Sequence, residues 1–103
     1  MSIATIEIQP RVKTVTFVDD KLSVEIADGR TVLTPLAWYP RLYHATKAER
    51  ADWTIFEDSE GRDIIFWERL DELIPAIALL DGVPSRESKR SVEKWLAARK
   101  VAA

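Results

Sequence analysis

The sequence predicts an α+β fold: an antiparallel three-strand meander plus a second β-hairpin, with short helices and a C-terminal basic amphipathic helix. Three observations carry this. Apolar residues alternate with polar ones through residues 12–34 around Asp28-Gly29, and aromatic and β-branched runs flank Asp58-Ser59-Glu60-Gly61. Proline and glycine then cut the remaining chain into short helical pieces. The last stretch, 85–103, gathers basic residues around an apolar stripe of helical spacing.

Taken in order, Ile3 to Ile8 is strand-like until Gln9-Pro10-Arg11 interrupts it, which predicts an extra edge strand or arm over 1–11. Val15 and Phe17 then share one side of a strand and Thr14 and Thr16 the other, up to Asp19-Asp20. Leu22, Val24 and Ile26 alternate with Ser23, Glu25 and Ala27, the pattern of a strand with one side in a core. Asp28-Gly29 tolerates the positive φ angles of a two-residue type I′ hairpin, and Arg30 to Thr34 returns. Pro35 and Pro40 end the meander, and Pro40 suits the first position of a short helix. Thr46-Lys47-Ala48-Glu49 has the Thr-x-x-Glu spacing of a capping box, predicting a helical turn through Glu49, Arg50 and Ala51.

Trp53 to Glu57 and Asp63 to Trp67 form the second hairpin, whose adjacent apolar pairs predict cover on both faces. Asp71-Glu72 reads as a pair of carboxylates capping a helix start. Pro75 to Leu80 reads as a helix ended by Gly82. After Pro84, Ser85 is the expected N-cap of the last helix, with Val92, Trp95 and Leu96 at i, i+3, i+4. No internal repeat is visible, and no linker separates domains.

Composition excludes many chemistries. The chain has 103 residues, 47% of them hydrophobic, no cysteine and one histidine. Disulfides, thiolate metal sites, a cysteine nucleophile and paired-histidine metal motifs are therefore out of reach. Three isolated glycines build no phosphate-binding loop. Asp58, Glu60 and Asp63 superficially suggest a calcium loop, but Gly61 comes too early in the spacing and Arg69 stands where the bidentate glutamate belongs, so a solvated turn is expected. Neither a metal nor a cofactor is expected. No apolar run approaches the ~20 residues of a membrane span and no secretory signal is visible, so the expected compartment is the cytoplasm.

The net charge of −2 is unevenly placed: residues 1–84 carry 9 basic and 15 acidic side chains, residues 85–103 carry 6 and 2. The helical cations Arg86, Lys89, Arg90, Lys94, Arg99 and Lys100 suit either a nucleic-acid backbone or docking on the chain's own acidic body. The aromatic middle third supplies core or an interface. His44, beside Tyr43, reads as a packing or surface residue. Arg30, Arg41 and Arg50 pair internally or form a fork-like anion site. No residue is singled out as catalytic.

Leu22-Ser23-Val24-Glu25-Ile26-Ala27-Asp28-Gly29-Arg30, Pro35-Leu36-Ala37-Trp38-Tyr39-Pro40-Arg41-Leu42, Ala45-Thr46, Glu49-Arg50 and Trp53 together resemble the bacterial DUF2442 family. The resemblance spans about residues 12–82, leaving 83–103 as a basic helical extension. Trp67, Leu70-Asp71-Glu72, Ile74, Leu79-Leu80 and Gly82 continue it, while Phe66, Glu68, Leu73 and Pro75 depart from the family's usual His, Pro, Asp and Ser. The resemblance implies a small α+β protein and a binding or regulatory role, because members are sometimes fused to helix-turn-helix domains. Their genes often neighbour those of another small family, DUF4160, in pairs read as toxin and antitoxin.

The function expected from all this is a non-enzymatic protein-binding module, the antitoxin-like partner of a two-gene system, with Trp38, Tyr39, Arg41, Arg50, Trp53 and Trp67 as the candidate contact residues. Its partner would be another small protein, encoded by the adjacent gene, and a homodimer is expected. The alternative is a nucleic-acid-binding regulator acting through the basic helix. A third reading is a small anion-binding protein or enzyme using Arg41, Arg50 and His44.

Overall fold

A computed structural model describes residues 9–102, and the strand or arm expected from Ile3 to Ile8 lies outside them. Six strands and four helices follow one another: β1 (Val12–Val18), β2 (Lys21–Ile26), β3 (Thr31–Pro35), α1 (Pro40–Tyr43), α2 (Lys47–Ala51), β4 (Thr54–Glu57), β5 (Asp63–Trp67), β6 (Glu72–Pro75), α3 (Ala76–Asp81) and α4 (Lys89–Ala102). Strands β1, β2 and β3 form one antiparallel sheet in that order, and β4, β5 and β6 form a second. The fold is α+β.

The first sheet follows its hydrophobic alternation. Leu22, Val24 and Ile26 point inward opposite Phe17 and Val15 on β1 and Thr34 and Val32 on β3. Regular alternation would turn Val12 outward with Thr14 and Thr16. A bulge between Val12 and Thr14 restores it: Val12 pairs with Ile26, Thr14 with Glu25, and Lys13 is the extra residue. Val12 thereby packs against the core.

The turn at Asp28-Gly29 differs from the type I′ expectation. Asp28 keeps a negative φ and only Gly29 is left-handed, at +99°. Ile26 N donates to Arg30 O at 2.8 Å and Gly29 N to Ile26 O at 3.0 Å, so the loop has three residues with glycine in the last place. The second hairpin closes identically. Asp58 N donates to Arg62 O at 2.9 Å, Gly61 N to Asp58 O at 3.0 Å, and Gly61 is left-handed at +76°.

This likeness extends from the turns into the elements that follow them. β3 (31–35) runs into a 3-10 turn at Leu36–Trp38, and β5 (63–67) runs into one at Glu68–Leu70, at one constant sequence offset from the first pair. Within the two hairpins the offset preserves Glu25 as Glu57, Gly29 as Gly61 and Arg30 as Arg62. Few side chains are shared, so the repetition lives in the backbone.

The region around Asp71 also differs from expectation. Asp71 adopts a left-handed φ of 51°, and Glu72 begins β6, which pairs antiparallel with β5. No helix starts there. Helix α3 begins after Pro75 and ends on Gly82 in the left-handed conformation, as proline and glycine predict.

The inner faces of both sheets share one core, with Trp67 fully buried at its centre. Its indole Nε1 donates to Arg50 O at 3.0 Å, and the Phe17 ring meets it edge-on at 6.4 Å. Buried Asp63 joins the sheets, accepting from Arg11 Nη1 at 2.9 Å and from Val12 N at 2.8 Å.

Candidate functional site

The Thr46 capping box is present as predicted: Glu49 N donates to Thr46 Oγ1 at 3.1 Å, and Thr46 N to Glu49 Oε1 at 2.9 Å. Glu49 also holds α4. Arg99 donates to it through Nη1 at 2.9 Å and Nη2 at 2.8 Å, a two-point contact that lowers the Glu49 carboxyl to about 2. Helix α4 starts at Lys89, later than expected. The hydroxyl that accepts near its start, from Ser91 N at 3.1 Å, belongs to Ser88, whereas Ser85 Oγ accepts from Glu87 N.

Arg41 makes the second anchor. Its Nε and Nη2 donate to the Glu87 carboxylate at 3.0, 3.0 and 2.7 Å, and its Nη1 donates to Leu70 O at 2.9 Å. Ser91 Oγ donates to the same carboxylate at 2.7 Å, and Arg41 holds that carboxyl below its usual range. The guanidinium carbons of Arg41 and Arg99 lie 5.3 and 4.6 Å from the Trp95 ring centre, so the indole is flanked by two cations. Val92 is buried beneath the same helix. The basic helix thus docks on its own body.

Each arginine weighed as an anion ligand has an internal acceptor. Arg30 pairs with Asp28, at 2.8 Å from Nε and 2.7 Å from Nη2. Arg50 donates through Nε to Leu42 O and through Nη2 to Tyr43 O, both at 2.8 Å, which caps the end of α1. Arg41 and Arg50 are therefore committed to different acceptors, and His44 packs edge-on against Tyr43 instead of joining them. They build no common fork.

The six contact candidates separate by depth. Trp67 is core, and Tyr39 is buried with its hydroxyl donating to Val83 O at 2.8 Å. Neither offers a surface to a partner. Burial, then the nearby Glu72 carboxylate, push the Tyr39 hydroxyl up to about 12. Trp53 packs partly buried against the core, Arg41 and Arg50 are half-buried, and Trp38 is 38% exposed. Among the helical cations, Arg86, Lys89, Arg90, Lys94 and Lys100 are exposed, and Arg99 is drawn in by Glu49.

The outer face of the second sheet is a feature that single residues did not announce. Phe56 pairs across β4 and β5 with Ile64, Phe66 with Leu73, and Ile64 with Pro75, so these side chains share one face. Phe56 and Phe66 meet edge-to-face at 6.1 Å, with Phe56 42% and Leu73 50% exposed. Phe66 and Leu73 lie on different strands, so only the pairing of β5 with β6 brings them together. Behind β6, burial and then the neighbouring Glu87 raise the Glu72 carboxyl to about 7, against the opposing pull of Arg41.

Among the described residues no cluster of three or more His, Cys, Asp or Glu is placed to hold a metal, and no helix is long and apolar enough to cross a membrane. A family model described as "Protein of unknown function (DUF2442)" matches residues 12–85. A search of curated proteins finds no match. Among solved structures, a protein of unknown function from Rhodospirillum rubrum superposes with a TM-score of 0.59 at 18% identity, covering 82% of this chain and 99% of that one. At that identity the likeness concerns the fold.

Proposed function

The chain belongs to the DUF2442 family of proteins of unknown function, and from that premise we propose that it is a non-enzymatic protein-binding module, the antitoxin-like member of a two-gene system. The observation that carries this is the outer face of the second sheet. Phe56, Phe66 and Leu73 stand side by side on it, and large apolar groups gathered on one face mark a contact surface. The arginines that could have gathered an anionic substrate are instead engaged by Glu87, Asp28 and main-chain carbonyls. Trp38, on another part of the surface, adds a second aromatic anchor.

Co-expression with the product of the adjacent gene tests this. A complex that survives purification and weakens on Phe56→Ser or Leu73→Asp is expected, and failure to recover any complex removes the proposal. The same face suits a second copy of the chain, and sizing of the protein alone separates homodimer from heterocomplex.

A second reading, nucleic-acid binding, draws on the exposed cations Arg86, Lys89, Arg90, Lys94 and Lys100. It calls for affinity that falls steeply with salt. With Arg99 engaged by Glu49 and the rest of the chain acidic, the protein partner is the favoured reading.

A further inference from the structure

Among the described residues β1 has a partner strand on one side only, and its other side opens on a groove of about 620 Å³ whose lining includes Val15, Phe17, Asp19, Lys47, Arg50 and Trp53. The backbone polarity of that edge follows from the ladder. Ile26 N donates to Arg30 O and Leu36 N to Asp20 O, so Leu22, Val24 and Ile26 turn their backbone groups toward β3. Lys21, Ser23 and Glu25 therefore bond β1 through Val18, Thr16 and Thr14. By alternation, the N–H and C=O of Val15 and Phe17 point away from β2, and among the described residues no partner meets them. Four strong hydrogen-bonding groups are thus presented in extended spacing.

Charge selects the occupant. Lys47 is exposed and Arg50 half-buried, and neither has a carboxylate partner among the described residues. Arg50 spends Nε and Nη2 on carbonyls, leaving Nη1 without an acceptor there, and its guanidinium lies 5.8 Å from the Phe17 ring centre. Trp53 and Phe17 supply apolar walls.

We propose that this groove binds an extended peptide segment of a partner protein, added as a strand to the free edge of β1, with apolar side chains against Phe17 and Trp53 and a carboxylate facing Lys47 and Arg50. This rests on the reading of the chain as a protein-binding module, and names a second contact region separate from the outer face of the second sheet.

The probe is acetyl-Val-Glu-Val-Glu-Val-Glu-amide titrated into the isotope-labelled full chain and followed by amide NMR. Saturable shifts and slowed exchange are expected at Val15 and Phe17, while Thr16, already bonded to β2, keeps its exchange rate. The same peptide with Lys for Glu should bind at least tenfold more weakly, and Lys47→Glu should narrow that gap; its exposed position at the start of α2 leaves the fold intact. Absence of saturable shifts at Val15 and Phe17, or equal binding of the two peptides, overturns the groove. So does slow exchange at both amides before any peptide is added, which would mean that the chain's own terminus or a second copy holds the edge. A complex with the adjacent gene product that leaves these two amides unchanged also overturns it, while sparing the broader protein-binding proposal.

Discussion

Arg99, near the end of the last helix, donates two hydrogen bonds to Glu49 in the first turn of α2, at 2.9 and 2.8 Å. The same carboxylate completes a capping box, so one side chain fixes a helix start and anchors the helix that docks on it. The Arg99 guanidinium holds the folded Glu49 carboxyl at about 2, below its ordinary 4.5. A carboxyl with a depressed folded value contributes stability that is complete above the unfolded value and lost as pH falls through the folded one. The window is therefore about pH 4.5 down to about 2. Glu49→Gln keeps the cap, since Gln also serves in a capping box, but removes the charge. Urea titration at pH 7 should find it less stable by on the order of 2 kcal/mol, and the gap should close near pH 2. A gap independent of pH would show that the cap, and not the ion pair, carries the effect.

Glu72 works in the opposite sense. Burial and the Glu87 carboxylate raise its folded value to about 7, so the native state holds a proton that the unfolded chain has released between about pH 4.5 and 7. Stability from this group therefore falls as pH rises through that window and stays low above it. Glu72→Gln, which stays neutral, should be more stable than the parent at pH 8 by on the order of 1–2 kcal/mol, and should match it near pH 4. Thermal melts at the two pH values decide this, and a variant less stable at pH 8 would mean that the pull of Arg41 outweighs burial.

Local chemistry was readable and distant chemistry was not. The capping box, the alternation of β2 and the stops at Pro35 and Gly82 each depend on residues a few positions apart. β6 escaped because Glu72-Leu73-Ile74-Pro75 has no strand signal of its own; pairing with the buried β5 makes it one. The bulge at Lys13 escaped for a similar reason, since only the packing of Val12 requires it. In the candidate site, the sequence leaves the arginines between internal pairing and an anion site, and the acceptors of Arg41 and Arg99, Glu87 and Glu49, lie across too much intervening chain for local spacing to name them. Tyr39 and Trp67, candidates for contact in the sequence, are core in the fold, because residue type does not separate a core aromatic from a contact aromatic.

Trp67 and Trp38 make that distinction measurable. Trp67 has no exposed surface and donates to Arg50 O, so Trp67→Ala removes a large core volume and leaves a partly buried carbonyl without this donor. A loss of about 3–5 kcal/mol is expected, enough to unfold much of a marginally stable domain at room temperature. Trp38→Ala removes a side chain that is 38% exposed and needs no buried donor, while its carbonyl still accepts from Ser85 N at 3.0 Å. Its cost should be about 1 kcal/mol, well below that of Trp67→Ala. Circular dichroism of the two variants under urea gives the comparison, and similar midpoints would contradict this assignment of depth.

The two hairpin turns predict a matched pair of costs. Gly29 and Gly61 both sit in the left-handed region as the last residue of a three-residue loop, and a Cβ built on either meets nothing within 4 Å. Packing therefore adds no penalty, and Gly→Ala at each position is charged only for the backbone conformation, about 1–2 kcal/mol. Asn, which tolerates that region better, should cost less at both. Arg11 bonds both hairpins, through Ala27 N on one and Glu57 and Asp63 on the other, but neither glycine bonds it, so the double variant should lose close to the sum of the two single losses. Urea midpoints of the four proteins check this: equal single losses that add would establish the turns as one device used twice, whereas a much larger loss at Gly29 would mean that the likeness of the two hairpins ends at their hydrogen bonds.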